Sequence, residues 1–169
     1  MLIADPGADP GLICAHTGLA AIYQRAEDDC LICALAMLTG RPYEAVVEAA
    51  LALHAEFPPA GPMSHSMMRG VAAGWGFVLL SGVHMLWAYP AIIGVISPTR
   101  PGTGHAVVWD GEKIIDPGRK AGEPAIIDRA YVERMGLEFT QRAQDLTALI
   151  GCDVGVAAMA RAVCMDNLA

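Results

Sequence analysis

The sequence predicts an α+β fold in which helices come first and an antiparallel sheet follows. Three observations carry this. Apolar residues recur at helical spacing between Cys30 and Ala73. From Phe77 onward, short β-branched and apolar runs bounded by turn residues replace that pattern. The dipeptide Asp110-Gly111 between two such runs marks a two-residue hairpin, hence antiparallel neighbours. With 169 residues, 54% of them hydrophobic and 17% charged, the chain is long and apolar enough to bury one core, and a single domain over 1–169 is expected.

The elements follow in order. Residues 1–14 carry repeated Asp-Pro turn signals and read as a flexible lead-in. Leu19–Gln24 is short and extended. Cys30–Leu38 is rich in helix formers, Gly40 ends that helix, and Pro42 opens the next. Tyr43–His54 is amphipathic, with Val46, Val47, Ala50, Leu51 and His54 near one stripe. Phe57–Pro62 is a loop. Ser64 caps a third helix that runs to Ala73, and Gly74 and Gly76 close it. Phe77–Leu80 and Ala91–Ile96 are predicted strands, separated by a Pro/Gly/Thr loop, Ser97–Gly104, from the hairpin His105–Asp110 and Glu112–Asp116. Asp128–Met135 is a short helix, Leu137–Thr140 a short strand, and residues 144–169 a C-terminal extension with an Ala-rich helix over Val154–Cys164.

Charge and composition exclude several functions. A net charge of -7 makes nucleic acid an unsuitable partner. No apolar run approaches the roughly 18 residues of a membrane span. The N-terminus lacks the basic and apolar regions of a signal peptide, so the expected location is the cytoplasm. Five cysteines in a reducing compartment argue against a disulfide framework, leaving thiols that are free, metal-bound or catalytic.

In a hairpin with Asp110-Gly111 as its two-residue loop, Trp109 faces Glu112, Val107 faces Ile114 and His105 faces Asp116. Such residues have Cα atoms about 5.5 Å apart and side chains on one face. A carboxylate there fixes the tautomer of the histidine and leaves the other ring nitrogen free as a base. A His–Asp pair of this kind is also a common structural feature. It gains chemical meaning only beside a nucleophile.

Cys30 and Cys33, at C-x-x-C spacing, admit three readings. In the first, Cys30 is a catalytic thiol in the first turn of its helix, where the helix dipole favours thiolate and Asp28 or Asp29 is the N-cap. The neighbouring carboxylates oppose the thiolate, and a histidine partner would settle the balance. The backbone N–H of Cys30 and the side-chain amide of Gln24 are the candidate oxyanion donors. In the second, Cys14, His16, Cys30 and Cys33 hold a structural zinc ion, although Cys33 is followed by a buried-helix pattern and not a zinc knuckle. In the third, the pair is a thioredoxin-like redox couple, but the preceding segment is short and polar where a strand is required. Cys33, Cys152 and Cys164 otherwise read as small buried apolar residues.

The series Gln24, Asp29-Cys30, Ala34 to Gly40, Pro42-Tyr43, Gly104 to Asp110 and Ile115-Asp116-Pro117 resembles the papain-like cysteine peptidases. The nearest likeness is to the peptidase C39-like branch of bacteriocin-processing domains and their stand-alone bacterial and phage relatives. The resemblance covers Gln24 to Pro117 and rests on the order of the motifs. It implies a papain-like fold whose nucleophile helix packs on the sheet, and a thiol protease acting on a peptide or protein substrate without cofactor or metal. Cys30 would be the nucleophile, His105 the base, Asp116 its orienting group and Gln24 the oxyanion donor. One departure is Leu31, where the family often has glycine, which would narrow the approach to the thiol.

The remaining conspicuous residues read as structural. Ser64 and His65 start a helix, His54 is a helix residue, and Trp75, Trp87 and Trp109 belong to core or cleft wall, with His84 a lesser candidate for lining a cleft. Two other classes compete with the hydrolase: a catalytically inactive relative kept for binding or assembly, and the zinc-stabilised interaction domain.

Overall fold

The computed structural model describes residues 19–56, 62–82, 87, 89–120 and 122–142. The predicted lead-in and C-terminal helix, with Cys14, His16, His84, Cys152 and Cys164, lie outside them. The described chain is α+β: helices α1 (Cys30–Thr39), α2 (Tyr43–Leu53) and α3 (His65–Gly74) precede strands β1 (Leu79–Gly82), β2 (Ala91–Ile96), β3 (Gly104–Trp109) and β4 (Ile114–Ile115), then helix α4 (Arg129–Met135) and strand β5 (Gly136–Arg142). The sheet has the order β1-β5-β2-β3-β4, and all its pairs are antiparallel.

Helix α1 is apolar on every side because it is enclosed on every side. Ile32, Cys33, Ala34, Leu35 and Ala36 have no exposed surface. The helix lies against β3 and β2 on one side and α2 and α3 on the other. Full burial of residues the size of Ile32 and Leu35 contributes about 1.5–3 kcal/mol each. Gly40 stops the helix in the left-handed region (φ 64°), where glycine carries no Cβ penalty, and the amide of Arg41 returns to Ala36 O. Ser64 caps α3 by accepting from Met67 N, and Asp128 caps α4 by accepting from Tyr131 N.

Alternation along β2 divides the core. Ile92 packs toward α1, with Ala106, Val108 and Ile115 of the neighbouring strands. Ala91, Ile93 and Val95 pack on the opposite face with Val107, Trp109 and Val132 of α4. Three layers result: α1–α3, sheet, α4.

Three sequence expectations need correction. The first strand lies two residues later than Phe77–Leu80. The last strand is longer than Leu137–Thr140 and sits inside the sheet, between β1 and β2. The hairpin loop is Asp110–Lys113, pairing Trp109 with Ile114 and Val108 with Ile115. Asp110 causes this by accepting from the amides of both Glu112 and Lys113 at 2.8 Å, a side-chain turn that displaces the tight two-residue loop.

His105 and Asp116 are therefore not directly opposed. Continuing the observed register sets Asp116 against Val107, two residues from His105. A slip of two residues preserves the face on which a side chain points, whereas a slip of one would reverse it. The two side chains remain diagonal neighbours on one side of the hairpin.

Candidate active site

The site is built where the start of α1 meets the first residues of β3. Cys30 is the first residue of α1 and is half-buried. His105, near the start of β3, directs Nε2 at Asp116 Oδ1, 2.7 Å away. Cys30 and His105 line the same cleft and the thiol acts on the ring's protonation, so with Nε2 engaged, Nδ1 is the nitrogen left to serve it. Three of the four residues singled out in the sequence thus form a chain Cys30–His105–Asp116.

The electrostatics of that chain favour a charged ring. Burial of His105 works against protonation, but the hydrogen bonds to Asp116 and Cys30, and attraction to both, outweigh it. The ring is raised from its ordinary 6.5 to about 9. At neutral pH it is an imidazolium, the partner that a Cys30 thiolate requires. Asp116 Oδ1 also accepts from Gly118 N at 2.8 Å, so the oxygen that holds the ring is itself held by the backbone.

Cys33 is excluded from this chemistry. It has no exposed surface, and burial, followed by the nearby Asp29 charge, pushes its thiol up to about 12. It is a core residue, as the sequence suggested. Among the described residues no group of three or more His, Cys, Asp or Glu is arranged to hold a metal ion.

Asp29 does not behave as the sequence led us to expect. It is the N-cap residue of α1, but its side chain makes no capping bond. The carboxylate turns back into the loop, where Oδ2 accepts from Arg25 N (3.0 Å), Ala26 N (3.1 Å) and Tyr43 Oη (2.8 Å). Burial and this bond raise the Tyr43 phenol, so it stays a donor. Arg25 lies over the Tyr43 ring, 4.2 Å from its centre.

Gln24 closes the same loop from the other side. Its Nε2 donates to Ala26 O and Glu27 O, both at 3.1 Å, so its N–H groups hold the loop. Arg100, from the β2–β3 connection, clasps the loop through Glu27 Oε1, Glu27 O and Asp28 Oδ1. Asp29's orientation, Tyr43, Arg100 and Gly118 were not legible as site residues in the sequence. Only the adjacency of Asp29 to Cys30 offered a signal.

Cys30 opens on a cleft of about 330 Å³. Leu31, Met63, Ile92 and Leu137 supply apolar walls, and Gly94 of β2, His65 and Glu138 stand in its lining. His65 Nδ1 is 3.3 Å from Glu138 Oε2, so this helix-start histidine belongs to the cleft. Leu31 does line the approach, as its size implied. Gln24 lines a second cavity with His105, Asp116 and Gly118. Trp87 and Trp109 stack edge to face on the α4 side of the sheet, away from Cys30.

No protein-family model, curated protein or solved structure matches the chain. Among the described residues no single helix is long and apolar enough to cross a membrane.

Proposed function

We propose that the protein is a cysteine peptidase-like thiol hydrolase of papain-like fold, of the peptidase C39-like kind, that cleaves a peptide or isopeptide amide bond. The observation that carries this reading is His105, held by Asp116 on one ring nitrogen and facing the thiol of the first residue of a buried helix on the other.

The chemistry follows from that arrangement. The Cys30 thiolate attacks the carbonyl carbon, and the electron pair of the C=O bond moves to oxygen. The N–H of Cys30 donates to that oxyanion, with Gln24 as second donor. The intermediate collapses, His105 gives its proton to the departing amine, and a thioester remains on Cys30. Water then attacks the thioester while neutral His105 takes its proton. Collapse releases the acid and restores thiolate and imidazolium. Asp116 keeps the ring in one orientation throughout. A reducing compartment such as the cytoplasm suits a thiol that must stay free.

Brief iodoacetamide treatment at neutral pH should label Cys30 and spare Cys33, read by mass spectrometry of the peptides. p-Nitrophenyl acetate should release a stoichiometric burst of nitrophenolate that Cys30→Ala abolishes. Preferential labelling of Cys33, or a wild-type protein that is not acylated, would overturn the reading.

A second reading, the same fold kept for binding, draws on one observation: both Gln24 Nε2 bonds are spent inside the loop. Gln24→Ala decides between them. In the hydrolase one N–H turns to the oxyanion, and its loss should lower kcat about tenfold, below the full 10²–10³ of a dedicated donor, with KM little changed. A fall in Tm with kcat unchanged would make Gln24 purely structural.

A further inference from the structure

The carboxylate of Asp29 is a fully buried titratable group beside the site that the proposed mechanism does not use. It has no exposed surface. Its Oδ2 collects three donors, and its Oδ1 is buried without a hydrogen-bond partner among the described residues. Burying a carboxylate with one oxygen unpaired is unfavourable, so such a group calls for an explanation.

Its position supplies one. An aspartate at an N-cap ordinarily accepts from the second or third amide of the helix and so occupies the end of the dipole. Asp29 makes no such bond. Tyr43 Oη and the amides of Arg25 and Ala26 hold its carboxylate away from the first turn of α1. The first-turn amides, which have no intrahelical acceptor, are left without a side-chain cap at the residue that carries the thiol.

The same three bonds wind the loop that Gln24 and Arg100 close. Asp29 takes its amides, while Gln24 and Arg100 take its carbonyls at Ala26 and Glu27. We propose that Asp29 is a positioning residue of the oxyanion site: its inward-turned carboxylate fixes the loop that presents Gln24 beside the start of α1. This rests on the hydrolase reading above and adds a role to a residue that touches no reacting atom.

Two probes of the same thiolate separate this role from general damage. Iodoacetamide alkylates Cys30 at a tetrahedral carbon, expelling iodide, and develops no oxyanion. p-Nitrophenyl acetate acylates Cys30 through a tetrahedral oxyanion. The ratio of acylation to alkylation rate therefore reports the oxyanion site alone. Asp29→Ala should lower that ratio roughly tenfold, at the low end of what donor loss costs. Asp29→Asn should restore it to within about threefold of wild type, because an amide oxygen in the place of Oδ2 keeps the acceptor that the Arg25, Ala26 and Tyr43 donors share. An unchanged ratio in a folded Asp29→Ala protein, even with a lower Tm, would overturn the proposal. If that variant does not fold, Tyr43→Phe decides: it removes one of the three donors and keeps the ring, and it should lower the ratio several-fold, whereas an unchanged ratio rejects the role. A wild-type protein that reacts with neither probe at Cys30 removes the hydrolase reading, and the positioning role falls with it.

Discussion

His105→Ala should lower acylation of Cys30 by about 10²–10⁴-fold, the range of a positioned acid–base group. The variant loses both the imidazolium that stabilises the thiolate and the proton donor for the leaving group. Asp116→Asn should leave measurable acylation, because the ring remains beside Cys30 and the amide oxygen can still accept from Gly118 N. Its clearer effect is on pH dependence. In the wild type the ring is raised to about 9, against burial, by Asp116 and Cys30. The thiolate–imidazolium pair is therefore lost as the pH rises through about 9, and the alkaline limb of acylation should fall there. With the Asp116 charge removed, burial regains weight and the limb moves to lower pH. Stability follows the same sign. A raised histidine stabilises the fold fully below its ordinary 6.5, and the contribution is lost through about 9. Acylation rates from pH 5 to 10 for both variants check this. Near wild-type acylation in His105→Ala would remove the residue from the mechanism. An alkaline limb that Asp116→Asn leaves in place would remove the carboxylate from the control of the ring.

What the sequence made legible is local. The starts of α1, α2 and α3, the end of α4 and the whole of β2 follow from apolar spacing, capping residues and glycine or proline boundaries, all set within a few residues. The pairing of His105 with Asp116 was legible for a subtler reason. The register was wrong by two residues, yet the period of a strand is also two, so the face survived the error. The Asp-Gly signal itself was overruled by the Asp110 side chain, which no dipeptide rule includes. The rest depends on contacts far apart in the chain. Strand β5 lies beside β2 because its pairing to both neighbours is non-local. Arg100 reaches Glu27 from 73 residues away. Asp29 lies next to Cys30 in sequence, but its orientation depends on Tyr43, 14 residues on. These contacts place the site, and a single sequence gives no local sign of them.

Gly118→Ala should reduce acylation about 10- to 100-fold while changing stability by no more than about 1 kcal/mol, as a shift of under 1 Å at reacting groups can do. The requirement for glycine here is one of space. A Cβ at Gly118 would lie 2.9 Å from Gln24 Oε1, 3.2 Å from Asp116 Oδ1 and 3.2 Å from His105 Cε1. One methyl group would thus press at once on His105, on Asp116 and on the loop that Gln24 closes. The Gln24 amide is the end of a flexible side chain and yields first, withdrawing from the carbonyls it holds at Ala26 and Glu27. The contacts to Asp116 and His105 are tight enough to require shifts of a few tenths of an ångström, in groups held at 2.7 Å from one another. The double variant separates the two effects. Gln24→Ala removes the nearest atom, so in that background Gly118→Ala should cost less than it does alone, and the two losses should not add. Full additivity would mean that the methyl acts on His105 and Asp116 without Gln24. Unchanged acylation in Gly118→Ala would mean that the three side chains do not hold this arrangement during the reaction, and the geometry assigned to the site would have to be abandoned.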